Sequence, residues 1–490
     1  MTINRISILR SLAPYLEQWL AFQGAYRRTP GIQAAIRVDD EIVLDTAWGR
    51  ADLETGEDLT TSHLFRIASH SKTMTATAVL QLVEAGTMRL DDPIARWVDE
   101  LIGTALAEVT VRELLGHQGG VIRDGVENDF WQRGGDFLDR ASLIAEARSA
   151  GAVFAPNEYF KYSNIGYSLL GLAIESATGT TYNAHVAEHI AARLGLADSG
   201  PEYDPARAAE YAAGHTGLTA GDDARHRIEH VDTRAMAAAT GWYSTARDLT
   251  TYGAAHWFGD ASLVSDASKR LLQREESRVE AHGRELGRYG LGFDLRTIGD
   301  RDLVGHSGGY PGHITRTWID PTDRVVVAVL TNAVDGPADT LATGLIQLLD
   351  LAIDAATQAA DVADEADTAG TAREADAVAG VDQSRFTGRF ANMWGVIDIA
   401  DLGGRLASIN PRGLEPSASY QFLDVVGDDE LRTERVPGFG VTGEPVRFER
   451  DDAGAITAVR MGGMTSWPLE VYRRALASGR PVDTLARMSL

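Results

Sequence analysis

A serine and a lysine three positions apart form the sharpest chemical signal in the sequence. Ser69 and Lys72 stand at the head of an apolar helical run, Thr73 to Ala85, which ends at Gly86. On a first helical turn such residues share a face, and the serine lies beside backbone N–H groups that lack a helical partner. A neighbouring amine that can lose its proton activates a hydroxyl. The pair indicates a serine nucleophile with an amine partner, and a helix cap followed by a surface lysine is the alternative.

The scarcity of lysine favours the catalytic interpretation. Lys72, Lys161 and Lys269 are the only lysines among 46 Lys and Arg residues. Where any cation would serve, this chain uses arginine. A lysine is then a candidate for a place that needs an amine able to give up its proton, which arginine cannot do.

A tyrosine and an asparagine form the second piece. Tyr162 and Asn164 lie at a turn after Pro156-Asn157 and before an apolar helix. A phenol becomes a usable base only beside a cation such as Lys72, and the Asn164 amide offers both a donor and an acceptor to a substrate amide. An ordinary turn is the alternative.

The third piece is the stretch from Gly305 to Gly309, which contains His306, Ser307 and Gly308. It fits the G-x-S-x-G nucleophile elbow of α/β-hydrolases. That elbow requires a helix after Ser307 and a histidine far downstream. A turn and a strand follow instead, and the only later histidine is His313, so the elbow interpretation fails.

A metal site is a further alternative. His185, Glu188 and His189 match the H-x-x-E-H pattern of some zinc enzymes. The segment also has the pattern of a solvated amphipathic helix, which is the commoner explanation of such a short match. We therefore expect no metal and no cofactor.

Composition excludes several classes of function. The formal net charge is −24, and so acidic a surface repels phosphate and anionic lipid. Cysteine is absent, which excludes disulfides, thiolate metal sites and cysteine nucleophiles. No apolar run has the length of a membrane span, and residues 1–23 resemble an amphipathic helix more than a signal peptide. The expected location is cytoplasmic, with no nucleic-acid or membrane partner.

The distribution of helix and strand signals predicts a mixed α/β (α+β) fold. Strands at Ile32–Val38 and Glu41–Trp48, and again at Thr315–Ile319 and Arg324–Thr331, bracket a largely helical middle, and we expect the late strands to complete the sheet begun by the early ones. An Ala/Asp/Glu-rich stretch then precedes an all-β region with glycine turns, typical of a small barrel or sandwich. The predicted domains are residues 1–355, a linker or exposed helix at 356–380, and residues 381–490.

The three pieces in this order resemble the serine β-lactamase and penicillin-recognising family, and most closely its class C-like branch of D-aminopeptidases and esterases. The resemblance covers about residues 15–355 and includes the stretches 114–120, 241–249 and 326–332. It implies an antiparallel sheet with helices on it and an all-helical region. The region after residue 380 is similar to the barrel appended to some D-aminopeptidase-like members.

The resemblance also implies roles for the site residues. Ser69 is the nucleophile, Lys72 its amine partner, Tyr162 the general base and then acid, and Asn164 a clamp for the substrate amide. The oxyanion hole consists of the backbone N–H groups of Ser69 and Gly309. His306 stands where β-lactamases carry a lysine that holds the substrate carboxylate, and Gly308 and Gly309 follow it as substrate-binding positions.

The resulting hypothesis is a serine hydrolase that forms an acyl-enzyme on Ser69 and cleaves an amide or peptide bond of a small substrate. An esterase or acyltransferase on the same scaffold is the nearest alternative. A β-lactamase or a non-catalytic binding or assembly protein is less favoured, since a pure binder does not need all four of Ser69, Lys72, Tyr162 and Asn164.

Overall fold

The computed structural model describes residues 4–126, 128–132, 135–218, 224–282, 284–369, 382–392, 395–413, 415–418, 420–434, 443–462 and 464–477. Contacts divide the chain into two compact units. One is Arg27–Ala342, and the other combines Met1–Tyr26 with Thr343–Leu490.

The unit of residues 27–342 is built on an eight-stranded antiparallel sheet with the strand order β2-β1-β12-β11-β10-β9-β8-β7. The strands are β1 (Gly31–Val38), β2 (Glu41–Gly49), β7 (Ser277–Ala281), β8 (Arg284–Tyr289), β9 (Asp294–Ile298), β10 (Arg301–Tyr310), β11 (His313–Asp320) and β12 (Val325–Thr331). The late strand β12 pairs with β1 in a register that runs from Ile32 opposite Thr331 to Val38 opposite Val325. The prediction that the late strands complete the early sheet is confirmed. Two short pairs, β3 (Phe65–Arg66) with β6 (Tyr243–Ser244) and β4 (Gly214–His215) with β5 (Arg227–Ile228), lie outside this sheet.

Strands β7, β8 and β9 were not predicted from the sequence. They form one edge of the sheet, and the first three residues of β8, Arg284, Glu285 and Leu286, are exposed. An edge strand with polar residues on its surface lacks the regular apolar alternation that marks a half-buried strand.

The helices that carry site residues are buried along most of their length. Helix α2 (Ser71–Glu84) is buried from Ser71 to Leu80, and α5 (Asn164–Thr178) is buried from Asn164 to Ile174. Both pack against each other and against α7 (Ala237–Thr240). Burial on nearly every side fixes the positions of these helices, and therefore of Lys72 and Asn164. The other helices of this unit are α3 (Val111–Leu115), α4 (Arg140–Ala150), α6 (Tyr182–Val186), α8 (Ala246–Ala254) and α9 (Asp266–Gln273).

The second unit contains a closed eight-stranded antiparallel barrel, as the pattern of its strands predicted. Its strands are β13 (Gly388–Asn392), β14 (Gly395–Leu402), β15 (Arg405–Ile409), β16 (Tyr420–Gly427), β17 (Glu430–Thr433), β18 (Pro445–Arg450), β19 (Ile456–Met461) and β20 (Met464–Pro468), followed by helix α11 (Leu469–Ala477). The barrel closes where Ala391 of β13 pairs with Trp467 of β20. Phe386, Phe390 and Phe448 lie in its core.

The N-terminal helix α1 (Arg5–Arg27) belongs mainly to the barrel unit, which the sequence did not indicate. Gln23 Nε2 donates a hydrogen bond to the carbonyl oxygen of Pro411 over 2.7 Å. The guanidinium of Arg389, held by Asp398, lies 4.6 Å from the ring centroid of Phe22. These contacts join parts of the chain nearly 400 residues apart, and no local pattern encodes them.

Helix α10 (Ala338–Ala369) runs through the predicted boundary at residue 355. The first part of the predicted linker is therefore helical, while residues 370–381 lie outside the described part of the chain. The two units meet in the sequence between residues 342 and 343, near the start of the same helix. Within the described ranges one stretch, Ala338–Gln358, has the length and composition of a membrane span, with a mean hydropathy of 1.2; 56% of it is buried inside the protein, as in a core helix.

Candidate active site

Ser69 lies on a tight turn immediately before helix α2. Residues Ala68–His70 form a 3-10 turn, and Ala68 has a positive φ of 45°, which is rare for a residue with a side chain. Ser71 Oγ donates to the carbonyl oxygen of Ala68 over 2.6 Å and accepts from the backbone N–H of Trp242 over 3.1 Å. These bonds hold the turn, so the α-helix begins at Ser71 and Ser69 remains half-buried.

Lys72 is fully buried, and its amine has three polar neighbours. Nζ lies 3.2 Å from Ser69 Oγ, 2.6 Å from Asn164 Oδ1 and 2.9 Å from the carbonyl oxygen of Ala239. Burial lowers the pKa of Lys72 well below its ordinary value, and the carboxylate of Asp124 opposes this effect. The neutral amine is favoured at such a position because a buried ammonium loses its hydration.

Tyr162 approaches Ser69 from the other side. Its hydroxyl donates to Ser69 Oγ over 2.8 Å. Lys72 Nζ lies 4.7 Å from the centre of the Tyr162 ring, and the His117 ring lies 4.4 Å from it. Burial raises the pKa of Tyr162, while the hydrogen bond with Ser69 partly opposes the rise. Burial therefore acts against the effect expected of Lys72 on this phenol, and the role of Tyr162 as a base stays a prediction.

The Asn164 amide is engaged at both ends. Its Oδ1 accepts from Lys72, and its Nδ2 donates to Asp124 Oδ1 over 2.6 Å. Asn164 is only 2% exposed. One hydrogen of Nδ2 remains for a further acceptor, because an amide nitrogen carries two.

Strand β10 carries His306 and Gly308 beside the segment that precedes Ser69. A Cβ atom at Gly308 would lie 2.1 Å from the carbonyl oxygen of Ile67, so only glycine allows the strand to come this close. Gly309, the next residue, is exposed. The tight approach explains the glycine at position 308.

His306 is a buried, neutral imidazole. Its Nδ1 donates to the carbonyl oxygen of Ser307 over 2.6 Å, and its Nε2 accepts from the Tyr289 hydroxyl over 3.0 Å. Burial lowers the pKa of His306 to about 4, although the carboxylate of Asp294 raises it. The His306 imidazole is therefore uncharged at neutral pH.

The nucleophile elbow at Ser307 and the metal site at His185 and His189, the two alternatives that the sequence offered, lack the geometry that each requires. Ser307 lies in the middle of β10, and the chain continues into strand β11 rather than into the helix that an elbow requires. The rings of His185 and His189 stack with their centroids 4.3 Å apart. Among the described residues, no group of three or more histidine and acidic side chains is arranged to hold a metal ion.

The structure adds residues that the motifs did not indicate as part of the site. His117 packs on the Tyr162 ring and accepts from the backbone N–H of Ser163 over 3.2 Å. Asp124 holds Asn164, and Tyr289 holds His306. Only His117 carried a signal, since it lies in one of the stretches that resembled the family.

The fold and the cluster around Ser69 together define a serine hydrolase of the penicillin-recognising type. The family model described as Beta-lactamase matches residues 16–351, and the chain belongs to this family.

Three similar proteins illustrate the range of the family. D-aminopeptidase from Brucella anthropi is 24% identical over 489 residues, which are 94% of this chain and 82% of that protein. Esterase EstB from Burkholderia gladioli is 33% identical over 187 residues, which are 36% of this chain and less than half, 47%, of that protein. The solved structure of the octameric penicillin-binding protein homologue from Pyrococcus abyssi covers 92% of this chain and 99% of its own, with a TM-score of 0.61 and 24% identity, and it supports the fold.

Proposed function

We propose that the protein hydrolyses an amide or peptide bond of a small substrate through an acyl-enzyme on Ser69. The observation that carries the proposal is the position of Ser69 Oγ within hydrogen-bond distance of both Lys72 Nζ, at 3.2 Å, and the Tyr162 hydroxyl, at 2.8 Å. A nucleophile with two proton-transfer groups in contact has what acylation needs, which is a base for its own proton and an acid for the leaving group.

Lys72 is the base of the acylation step. A neutral amine has two N–H groups and one lone pair. The oxygens of Asn164 and Ala239 take the two hydrogens, so the lone pair faces Ser69 Oγ. As Oγ bonds to the substrate carbonyl carbon, its proton passes to Nζ, and the carbonyl oxygen becomes an oxyanion held by the N–H groups of Ser69 and Gly309.

Tyr162 is the acid for the leaving nitrogen. When the C–N bond breaks, the nitrogen takes the phenol proton, and the Lys72 ammonium stabilises the resulting phenolate. In deacylation, water attacks the ester carbonyl and gives a proton to this phenolate. The ester bond then breaks, and Ser69 Oγ recovers its proton from Lys72, which restores the starting state. The order of the Tyr162 roles, acid and then base, reverses the order that the resemblance implied.

The uncharged His306 disfavours a β-lactam substrate. His306 is neutral at physiological pH, and a charge-assisted hydrogen bond to a substrate carboxylate would be missing there. The second N–H of Asn164 suits a substrate amide. Similarity to the D-aminopeptidase supports the amide class, and similarity to EstB supports the esterase alternative. A cytoplasmic location stays a prediction of the sequence.

A substrate panel tests the proposal. We expect hydrolysis of D- or L-amino acid amides, with a kcat/KM for a chromogenic cephalosporin about 10- to 100-fold lower, since hydrogen bonds to charged groups contribute about 1.5–3 kcal/mol. Turnover of short esters alone would favour the esterase. No turnover and no fluorophosphonate label on Ser69 would favour a binding protein.

Tyr162→Phe separates the two chemical steps. We expect amide hydrolysis to fall by about 10²–10³-fold, because loss of a general acid has effects of this size. A p-nitrophenyl ester has a leaving group that needs no proton, so the variant should still release one p-nitrophenolate per enzyme in a fast burst and then turn over slowly. A burst slowed as much as the steady state would show that Tyr162 is the base of acylation.

A further inference from the structure

The Asn164 amide has one orientation in which both of its ends are satisfied. Lys72 Nζ is 2.6 Å from Oδ1, and Asp124 Oδ1 is 2.6 Å from Nδ2. An ionised carboxylate only accepts hydrogen bonds. The Asp124 carboxylate therefore selects the nitrogen end of the amide and leaves the oxygen end for Lys72.

Asp124 is itself held firmly. Its side chain is 5% exposed. Besides Asn164 it accepts a hydrogen bond from Trp131 Nε1 over 3.0 Å, and it forms an ion pair with Arg123, whose Nε lies 3.0 Å from Oδ2. The Arg123 guanidinium lies 5.5 Å from the centre of the Tyr162 ring. A buried carboxylate with two hydrogen-bond donors and an ion-pair partner is a fixed point for the groups bonded to it.

We propose that Asp124 is a positioning residue of the hydrolase, which fixes the amide orientation of Asn164 and thereby aims the lone pair of Lys72 at Ser69. This inference rests on the proposed function for its kinetic consequence, but the underlying coupling between Asp124 and Lys72 is measurable without any substrate. If the carboxylate is replaced by an amide, residue 124 can donate as well as accept, and the selection is lost.

The charge of Asp124 also affects the pKa of Lys72, which gives a second way to measure the coupling between these two residues. The titratable groups around the Lys72 amine are Asp124, Arg123, Asp294, His117, His306, Tyr162 and Tyr167. Of the charged groups that act on Lys72, Asp124 has the largest effect, and it favours the ammonium. Asp124→Asn removes this charge, so the pKa of Lys72 should fall and the acidic limb of the kcat/KM profile should move to lower pH.

The kinetic test compares Asp124→Asn with Trp131→Phe, which removes a different hydrogen bond to the same carboxylate. We expect Asp124→Asn to lower kcat by about 10- to 100-fold, the size of a small misplacement of a reacting group, with KM within about threefold. Trp131→Phe keeps the carboxylate and its charge, so it should keep the pH profile of the wild type and lower kcat far less than Asp124→Asn does. Thermal unfolding of each variant identifies any loss of folded protein.

The substrate-free test uses the scarcity of lysine. Incorporation of lysine labelled with ¹³C at Cε gives only three signals, and the one that Lys72→Arg lacks belongs to Lys72. Titration should show a lower Lys72 pKa in Asp124→Asn and an unchanged one in Trp131→Phe. Asp124→Glu retains the charge and moves the carboxylate, so it should keep the Lys72 pKa near that of the wild type while kcat falls about tenfold.

These experiments distinguish a failure of the positioning role of Asp124 from a failure of the proposed hydrolase function. A Lys72 pKa and a kcat in Asp124→Asn that both equal those of Trp131→Phe would overturn the positioning role. Should Asp124→Asn fail to fold, a kcat in Asp124→Glu equal to that of Trp131→Phe would overturn it. A wild-type protein that no acylating reagent labels at Ser69 would refute the proposed function, and the Lys72 titration would still decide whether Asp124 controls this amine.

Discussion

Replacement of Ser69 by alanine should lower kcat by at least about 10⁴-fold, as loss of the nucleophile does in other serine hydrolases. Only one hydroxyl is removed. The Lys72 amine retains the oxygens of Asn164 and Ala239, and the turn before α2 is held by Ser71 rather than by Ser69. Thermal unfolding should therefore be nearly unchanged, and steady-state kinetics on the best substrate of the panel gives the loss.

Ser71→Ala is the matched control. Ser71 is fully buried and bonds to Ala68 and Trp242. Its loss leaves the Trp242 N–H without its partner, which should lower the free energy of unfolding by about 1–3 kcal/mol. Fluorophosphonate labelling of Ser69 and most of the activity should remain. An inactive Ser71→Ala beside an active Ser69→Ala would show that the nucleophile is wrongly assigned.

Lys72→Arg should be almost as inactive as Lys72→Ala, with kcat/KM at least about 10³-fold below the wild type, within the range of a lost general base. Arginine retains a positive charge, but its guanidinium has no lone pair to accept the Ser69 proton at neutral pH. The larger head also has to fit where the rings of Tyr162 and Tyr167 lie 4.7 and 5.5 Å from the present amine. Circular dichroism and thermal unfolding give the folded fraction.

The pH profile of the wild type should reflect the lowered pKa of Lys72. Because burial lowers the Lys72 pKa, the reactive neutral amine forms at a lower pH than for an ordinary lysine, and kcat/KM should rise through that pKa. A Lys72→Arg enzyme within about tenfold of the wild type, a difference of about 1.4 kcal/mol in the barrier, would mean that Lys72 acts only as a fixed charge.

The parts of the site that depend on local spacing could be predicted from the sequence. A separation of three residues at a helix start was enough to predict that Lys72 faces Ser69. The order of the three motifs, through the family resemblance, added Tyr162, Asn164 and His306. The strand patterns at 32–48 and 315–331 predicted that the late strands complete the sheet begun by the early ones, as the pairing of β1 with β12 shows.

The rest depends on contacts that no local pattern encodes. Asp124 meets Asn164 across 40 residues, in a loop without periodicity. The burial that raises the pKa of Tyr162 also arises from the fold, and the role of Tyr162 as a base stays a prediction from the sequence. Strands β7–β9 carry polar edge residues, and helix α1 joins the barrel unit through contacts at the far end of the chain.

The central claim is that Ser69 becomes covalently acylated during turnover, and mass spectrometry of the quenched reaction tests it directly. A p-nitrophenyl ester, mixed with the enzyme and quenched in acid within the first turnovers, should leave one acyl group per chain. Peptide mapping should place this group on Ser69, and Tyr162→Phe should accumulate more of it than the wild type. An enzyme that turns over the substrate with no adduct, or with the adduct on another residue, would contradict the account.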